Sequence, residues 1–385
     1  MEGFIMLYRK FGKTNEMVST LGFGCMRLPL LGDGDPTNID EEKAINLIHY
    51  AIDQGVNYID TAYPYHGIDM SKGGKSEPLV AKALKDGYRE KVKLATKLPS
   101  WLIKTREDMD KYLNEQLQRL NTNSIDFYLV HGIDSTTWPQ LKEAGIAEFL
   151  NQAIKDGRIK YAGFSFHDKV DLFKEIVDYY DWSFCQIQYN YLDEKFQAGT
   201  EGLKYAAKKG LGITIMEPLR GGKLASVPDD VKAVFNQAEI KRTPVEWGIG
   251  WILNHPEVSV VLSGMNEMEQ VSENIKIASI TEANAFTEKE LEVIEKAKNI
   301  FIKKIKVNCT SCGYCMPCPE GVQIPRNFSC YNDYYMFGKS DNYSRFGPNQ
   351  KASNCIECGK CEEHCPQGIH IPQELKKVKE LFEVS

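Results

Sequence analysis

Long apolar runs are missing from this sequence. No segment reaches the length of about 18 uninterrupted apolar residues that a membrane-spanning helix needs, and the first residues lack the apolar core and small-residue cleavage site of a secretory signal. Runs of like charge are missing as well, in a chain with 26% charged residues and a net charge of -6. Neither a nucleic acid nor a membrane is therefore an expected partner, and we expect a cytoplasmic protein.

Cysteine is scarce in the first 308 residues, where only Cys25 and Cys185 occur, and nine of the eleven cysteines follow. A chain of 385 residues also exceeds the usual size of a single core. Together these observations predict one domain over residues 1–300 and a second over 301–385. Because cytoplasmic thiols stay reduced, clustered cysteines in the second domain indicate metal binding more than disulfides.

Short β-rich runs alternate with segments of helical periodicity through the first domain. The segment 42–54 shows the pattern, because its apolar residues fall on one helical face and Gly55 suits the helix end. Eight such pairs in about 260 residues fit a closed (β/α)8 TIM barrel better than an open sheet. The predicted strands are 20–24, 58–61, 92–96, 126–130, 159–164, 184–188, 212–216 and 258–262.

Four ionisable residues lie at or just after three predicted strand ends: Asp60, Tyr65, Lys97 and His131. Active sites of (β/α)8 barrels form at the carboxyl ends of the strands, so we expect these side chains to converge. The set, with Tyr65 five residues after Asp60 in a DTAxxY string, resembles the Asp-Tyr-Lys-His tetrad of the aldo-keto reductases. That resemblance covers roughly residues 6–285.

The resemblance implies the role of each tetrad residue. Hydride delivery to a carbonyl carbon leaves negative charge on oxygen, and a positioned acid must protonate it. Tyr65 is the implied acid, Lys97 is expected to lower its pKa, and Asp60 is expected to hold Lys97. His131 is expected to hydrogen-bond the carbonyl oxygen of a small aldehyde or ketone.

The resemblance also implies a dinucleotide site at the strand ends and in the loops after strands seven and eight, where free backbone N–H groups can hold phosphates. The implied residues are Ser165, Gln186, Met216, Pro218, Leu219, Gly221, Gly222, Ser263, Gly264, Met265, Gln270 and Asn274.

Several of these positions depart from the family pattern. Phe166 replaces a common nicotinamide-anchoring Asn, Met216 replaces a stacking aromatic, and Gly264 and Gln270 replace frequent basic residues. NADP(H) is the cofactor expected by family habit, with NAD(H) and FMN as alternatives.

Two cysteine motifs occupy the C-terminal segment. The second has the CxxCxxCxxxCP spacing of bacterial ferredoxins, and the first is one residue shorter before its last cysteine. We therefore predict a small α+β ferredoxin-like domain with two [4Fe-4S] clusters. Zinc is the alternative metal. Cross-ligation in ferredoxins assigns one cluster to Cys309, Cys312, Cys315 and Cys365, and the other to Cys318, Cys355, Cys358 and Cys361.

The leading functional hypothesis is a nicotinamide-dependent carbonyl reductase whose clusters transfer electrons, with a ferredoxin or another redox protein as partner. A flavin-containing, ferredoxin-coupled reductase is the second hypothesis, because a flavin converts hydride transfer into single-electron steps. The third is a non-catalytic redox-sensing partner protein with structural clusters. A radical S-adenosylmethionine enzyme is disfavoured, since no CxxxCxxC motif occurs early in the barrel.

Overall fold

The computed structural model describes residues 5–32, 34–340 and 342–383. The strands are β1 Tyr8–Lys10, β2 Met17–Ser19, β3 Leu21–Gly24, β4 Tyr58–Asp60, β5 Lys93–Leu98, β6 Ile125–Ile133, β7 Ile159–Phe166, β8 Phe184–Gln188, β9 Gly212–Met216 and β10 Val260–Ser263. The helices are α1 Glu41–Asp53, α2 Ser76–Ala83, α3 Arg106–Arg119, α4 Thr137–Glu143, α5 Ile146–Lys155, α6 Val170–Tyr179, α7 Gly199–Lys208, α8 Asp229–Gln237, α9 Pro244–Leu253, α10 Met268–Ile280, α11 Glu288–Lys303, α12 Ile324–Phe337, α13 Lys360–Glu363 and α14 Ile371–Phe382.

Strands β3 to β10 form a closed parallel barrel, in the order β10-β3-β4-β5-β6-β7-β8-β9. All eight predicted strands are present, and the predicted (β/α)8 barrel is confirmed. Strand β6 runs to Ile133, three residues past the predicted end, and its register with β7 shifts between Val130 and Ile133. A bulge of this kind re-aims side chains at a barrel rim, and here it lies next to His131.

Helix α1 shows how the sequence specifies the outer layer. Asp40 caps it by accepting a hydrogen bond from the Lys43 backbone N–H at 3.1 Å. Its buried residues, Ala44, Leu47, Ile48, Ala51 and Ile52, form the predicted apolar face, whose remaining member, Ile45, is half-buried. Gly55 follows the helix at a φ of 97°, a conformation that favours glycine.

The amino-terminal end of the barrel is filled by an aromatic cluster around Phe11. The β1–β2 hairpin carries this fully buried ring, whose centroid lies 4.6 Å from that of Phe127 and 5.3 Å from that of Phe184. A Cβ atom at Gly212 would lie 2.8 Å from the Phe11 ring, so glycine is required there. The hairpin therefore acts as a plug at the end of the barrel opposite the strand carboxyl ends.

The chain divides into two compact units, residues 1–225 with 245–287 and residues 226–244 with 288–385. This division groups α8 and α11 with the C-terminal segment, unlike the predicted division at residue 300. Within the second unit, the Lys304 ammonium lies 2.8 Å from the Asp230 carboxylate and the Arg242 guanidinium lies 2.6 Å from Glu290. The first pair joins the residue after α11 to α8, and the second joins the segment after α8 to α11.

The C-terminal segment is built from helices and short 3-10 turns, and no strand is assigned among its described residues. The strands of the expected α+β domain are thus not seen there, because the chain between the cysteine motifs forms helix α12 instead. Val322, Ile324, Phe328 and Leu375 are among its buried core residues, and six of the motif cysteines pack against that core.

Among the described residues, no helix combines the length and the apolar character needed to cross a membrane.

We predict that Phe11→Ala destabilises the barrel by about 3–5 kcal/mol, because it empties a closely packed aromatic cluster. Denaturant-induced unfolding followed by far-UV circular dichroism measures the change. Met17→Ala in the same hairpin is the matched control, because Met17 is 51% exposed and should alter stability by less than about 0.5 kcal/mol. Equal midpoints for Phe11→Ala and the parent would contradict the plug assignment.

Candidate active site and cluster-binding cysteines

The four predicted tetrad residues meet at the carboxyl end of the barrel. Asp60 ends β4, Lys97 lies near the end of β5, His131 lies in the extension of β6, and Tyr65 lies in the loop after β4. The Lys97 Nζ donates hydrogen bonds to Asp60 Oδ1 at 2.6 Å, to the Thr61 carbonyl at 2.9 Å and to Tyr65 Oη at 3.1 Å. One buried ammonium therefore orients the carboxylate and the phenol.

Burial decides the protonation of Tyr65. It raises the phenol pKa above its ordinary value, and the opposing effect of the Lys97 charge is smaller. Lys97 lowers the Tyr65 pKa as expected, through its charge and its hydrogen bond, but desolvation outweighs this effect and the net pKa is raised. Burial also opposes the charge of Lys97, but Asp60 and Tyr65 more than offset it and the Lys97 pKa is raised. The phenol is thus a protonated donor beside a charged ammonium.

His131 faces the same phenol. Burial, followed by the charge of Lys97 and then His167, holds the pKa of its imidazole well below the usual range, so the ring is neutral. Its ring centroid lies 5.9 Å from that of Tyr65, edge to face, and Nδ1 is buried without a hydrogen-bond partner among the described residues. The Ser100 hydroxyl fixes the backbone by donating to the His131 carbonyl at 2.6 Å.

A buried polar network contacts the backbone of Lys97. The sequence interpretation missed this network. The fully buried Glu77 carboxylate accepts hydrogen bonds from Thr96 at 2.7 Å, Gln116 at 2.8 Å and Arg119 at 2.7 Å. Gln116 also donates to the Lys97 carbonyl at 3.0 Å, and Arg119 donates to the Gly74 carbonyl in the loop after Tyr65. The available signal was the pair of polar residues at i, i+3 spacing on α3.

The predicted nicotinamide face is assembled from the ends of β7 to β10. Ser165, Gln186, Met216 and Ser263 occupy these four strand ends. The Ser165 hydroxyl accepts a hydrogen bond from the Gly132 N–H at 2.7 Å, which leaves its proton free to donate. Gln186 Oε1 is buried without a hydrogen-bond partner among the described residues. An unpartnered buried amide oxygen is costly, and it fits the amide N–H of a nicotinamide carboxamide.

Phe166 does not open this face for a larger ring. It follows Ser165 on β7, and neighbouring strand residues point to opposite faces. The Phe166 ring is fully buried and packs edge-on against Phe173 of α6, with 5.2 Å between the ring centroids. Phe166 therefore creates no room for FMN, the alternative cofactor.

The loop after β9 has the backbone geometry of an anion site. Glu217, Arg220, Gly221 and Gly222 all have positive φ angles, and successive N–H groups in such conformations form concave nests. The Asn190 side chain holds the loop by donating to the Glu217 carbonyl at 3.1 Å. Pro218 and Leu219 complete the turn, and a Cβ atom at Gly248 would lie 2.6 Å from Leu219 Cδ2.

The loop after β10 leads into α10, whose first turn receives no side-chain cap from Glu267. The Asn274 amide donates to the Ser263 hydroxyl at 3.0 Å, and Gln270 accepts from the Asn266 N–H at 3.0 Å. Gly264 is exposed, whereas Met265 is buried and packs inside the protein. Met265 therefore lies in this loop with its side chain turned away from solvent.

The eight motif cysteines surround two hollows in the C-terminal unit. One hollow is lined by Cys309, Cys312, Cys315 and Cys365. The other is lined by Cys318, Cys355, Cys358 and Cys361, and also by Cys315. Each hollow thus draws its last cysteine from the other motif, as cross-ligation requires, and soft thiolates suit iron-sulfur clusters.

A single-ion site is not preformed at these cysteines. Within residues 5–32, 34–340 and 342–383, no group of three or more His, Cys, Asp or Glu side chains could hold one metal ion. A tetrahedral zinc site needs four ligands around one centre. Cys330 and Cys25, outside both motifs, are buried, and burial raises the Cys25 pKa.

Comparison with known families identifies both parts of the chain. Residues 20–299 match the model of the aldo/keto reductase family, and residues 308–369 match the model of a 4Fe-4S dicluster domain. The second match supports the predicted iron-sulfur clusters. The flavin and non-catalytic alternatives have no support in these matches.

Similar proteins agree with the barrel match. A probable aldo-keto reductase 1 of Glycine max is 27% identical over 323 residues, which is 75% of this chain and 88% of that protein. A 6-dehydroglucose reductase of Novosphingobium aromaticivorans is 27% identical, over 71% of this chain and 90% of that protein. The solved aldo-keto reductase AKR11C1 of Bacillus halodurans, in its holo form, has a TM-score of 0.63 at 26% identity, covering 76% of this chain and 96% of its own.

Cross-ligation can be tested with pairs of cysteine variants. Cys318→Ala with Cys358→Ala should remove one cluster, since both residues serve the same hollow, whereas Cys318→Ala with Cys312→Ala should remove both. Iron and acid-labile sulfide are measured after anaerobic purification. Cys330→Ala is the control and should retain the parental iron content, because Cys330 lies outside both motifs. The reverse ranking of the two double variants would show that each motif binds its own cluster.

Proposed function

The chain belongs to the aldo/keto reductase family, and we propose that it reduces a small aldehyde or ketone with NADPH or NADH. It is an oxidoreductase with a C-terminal 4Fe-4S dicluster domain. The observation that carries the proposal is the position of the Lys97 ammonium, 2.6 Å from the Asp60 carboxylate and 3.1 Å from the Tyr65 hydroxyl. This arrangement supplies a proton donor and a stabilising charge at the place where barrel enzymes bind substrates.

In the proposed reaction, a bound dihydronicotinamide supplies hydride to the carbonyl carbon. Tyr65 gives its phenolic proton to the carbonyl oxygen, and Lys97 stabilises the phenolate that remains. The neutral His131 ring donates a hydrogen bond to the same oxygen and orients the carbonyl. Asp60 holds Lys97 in place and balances its charge.

The nicotinamide end of the cofactor is proposed to be held by Ser165 and Gln186. Asn274 is proposed to hold the loop after β10 through its hydrogen bond to Ser263. Gln186 is the strongest of these assignments, because its buried amide oxygen otherwise has no hydrogen-bond partner among the described residues. The choice between NADPH and NADH stays open, since Gly264 and Gln270 bring no charge to the loop after β10. NADPH remains the expectation from the family.

The substrate is proposed to be a small carbonyl compound. The relative from Novosphingobium is named a 6-dehydroglucose reductase, which makes oxidised sugars reasonable first substrates to assay.

The clusters are proposed to exchange electrons with a small one-electron carrier, such as a ferredoxin. The hollow of Cys318, Cys355, Cys358 and Cys361 favours this role, because Cys358 is exposed and the neighbouring Ile356 and Tyr314 are 62% and 63% exposed. A [4Fe-4S] cluster exchanges one electron at a time, as such a carrier does. A cytoplasmic location remains a prediction and suits such a partner.

Tyr65→Phe should lower kcat for carbonyl reduction by roughly 10²–10⁴-fold, because it removes only the proton donor. Cofactor affinity and iron content should remain parental. The rate is measured under saturating NADPH with a panel of aldehydes, ketones and oxidised sugars.

Tyr63→Phe is the matched control for this variant, since the Tyr63 hydroxyl donates to Glu115 at 3.0 Å and not to a tetrad residue among the described ones. It should keep near-parental turnover. Parental rates from Tyr65→Phe at every pH would refute the tetrad assignment.

Cluster reduction should occur on the timescale of turnover if the clusters are carriers. Stopped-flow mixing of the oxidised protein with reduced ferredoxin, and separately with NADPH, measures bleaching of the cluster absorbance. Reduced ferredoxin is expected to bleach it, because the hollow containing Cys358 is accessible. Clusters that stay oxidised with both donors while carbonyl reduction proceeds would be structural.

A further inference from the structure

Arg27 lies where the two proposed phosphate-binding loops approach each other. A Cβ atom built on Gly264 would lie 3.2 Å from Arg27 Cβ and Cδ, so the arginine stem runs across the loop after β10. A Cβ atom on Gly221 would lie 3.2 Å from Arg27 Nη2, so the guanidinium reaches the loop after β9. Glycine at both positions permits this close approach.

The backbone around Arg27 is held firmly to the active site. The Cys25 N–H donates to the Asp60 carbonyl at 2.8 Å, and the Ser76 hydroxyl donates to the Cys25 carbonyl at 2.9 Å. On the other side, the Leu28 N–H donates to the His66 ring at 3.1 Å. A side chain on so fixed a segment loses little backbone freedom when it binds a ligand.

The charge of Arg27 is only loosely neutralised. Its guanidinium lies 3.9 Å from the Glu217 carboxylate, beyond hydrogen-bond distance, and the side chain is 51% exposed. Two other charged groups near these loops have closer partners: Glu267 lies 2.7 Å from Lys43, and Arg220 lies 3.6 Å from Asp193. Arg27 is therefore well placed to attract an anion.

We propose that Arg27 binds the pyrophosphate of the nicotinamide dinucleotide, between the positive-φ loop after β9 and the start of α10. The inference rests on the proposed function, because it requires that the barrel bind such a cofactor. The planar guanidinium suits phosphate oxygens, which it can contact in pairs. Gly264 and Gln270 carry no charge, and Arg27 brings a cation to these loops from the segment after β3.

The position also indicates which phosphate is bound. Arg27 is two residues beyond Cys25, which is bonded to Asp60 of the tetrad, so the chain allows at most about 7 Å between the Cα atoms of Cys25 and Arg27. Its guanidinium should thus serve the phosphates near the nicotinamide and not a 2'-phosphate at the adenosine end. NADPH and NADH should depend on Arg27 to the same degree.

The test measures equilibrium binding, independent of turnover. Arg27→Ala should raise the dissociation constants of both NADPH and NADH by roughly tenfold, as followed by the fluorescence of the bound dihydronicotinamide. Lys160→Ala is the matched control, because it removes a cation at the amino-terminal end of β7, where Lys160 pairs with Glu16. Its affinities should equal those of the parent, and circular dichroism should show that both variants are folded.

Glu217→Gln separates phosphate binding from a structural ion pair. If Arg27 binds phosphate, removal of the competing carboxylate should keep or tighten cofactor binding. A loss equal to that of Arg27→Ala would show that the Arg27–Glu217 pair only shapes the loop, and would overturn the proposal.

Three further outcomes would also overturn it. Unchanged binding of both cofactors by Arg27→Ala rules out a phosphate contact, and a loss confined to NADPH places Arg27 at the 2'-phosphate. A parent protein that binds neither cofactor refutes the proposed function together with this inference, whereas the first two outcomes leave the proposed function standing.

Discussion

The buried ammonium of Lys97 is the constraint on which the active end of the barrel depends. Only 1% of its side chain and 3% of the Asp60 side chain are exposed. Taking two such charges out of water costs several kcal/mol per ion unless their geometry and hydrogen bonds compensate. Here the ammonium uses three acceptors, and the Glu77, Gln116 and Arg119 network fixes the strand that presents it. The loop of Tyr65 and the strand of Lys97 are thereby tied to one polar framework.

This framework also sets the protonation states that the proposed chemistry needs. Burial raises the pKa of Tyr65, and it lowers the pKa of His131 with the help of the Lys97 charge. Both side chains are therefore neutral hydrogen-bond donors near neutral pH, and the ammonium is the cation beside them. Such an arrangement favours negative charge on a carbonyl oxygen without requiring any side chain to move when that charge develops.

The C-terminal unit has a small hydrophobic core against which motif cysteines pack. Its core residues are packed against six of the motif cysteines, which are partly buried, so most of the predicted cluster ligands lie against the hydrophobic core. Small domains commonly gain folding free energy from a metal or cluster when their core is limited. Structural support and electron transfer are compatible in such a unit, because an exposed ligand such as Cys358 opens one hollow to solvent without removing the core.

The sequence by itself determined the eight barrel strands, because apolar periodicity is local, and it determined the cysteine motifs, because ligand spacing within one turn is local too. It also identified Asp60, Tyr65, Lys97 and His131 as strand-end residues, since the parallel barrel brings strand ends together. Only the tertiary structure decided the pKa of Tyr65, because desolvation depends on every group that covers the phenol. Likewise, the burial of Phe166 against α6, the Glu77 network and the reach of Arg27 to Gly221 join residues far apart in the chain, and no local pattern encodes those distances.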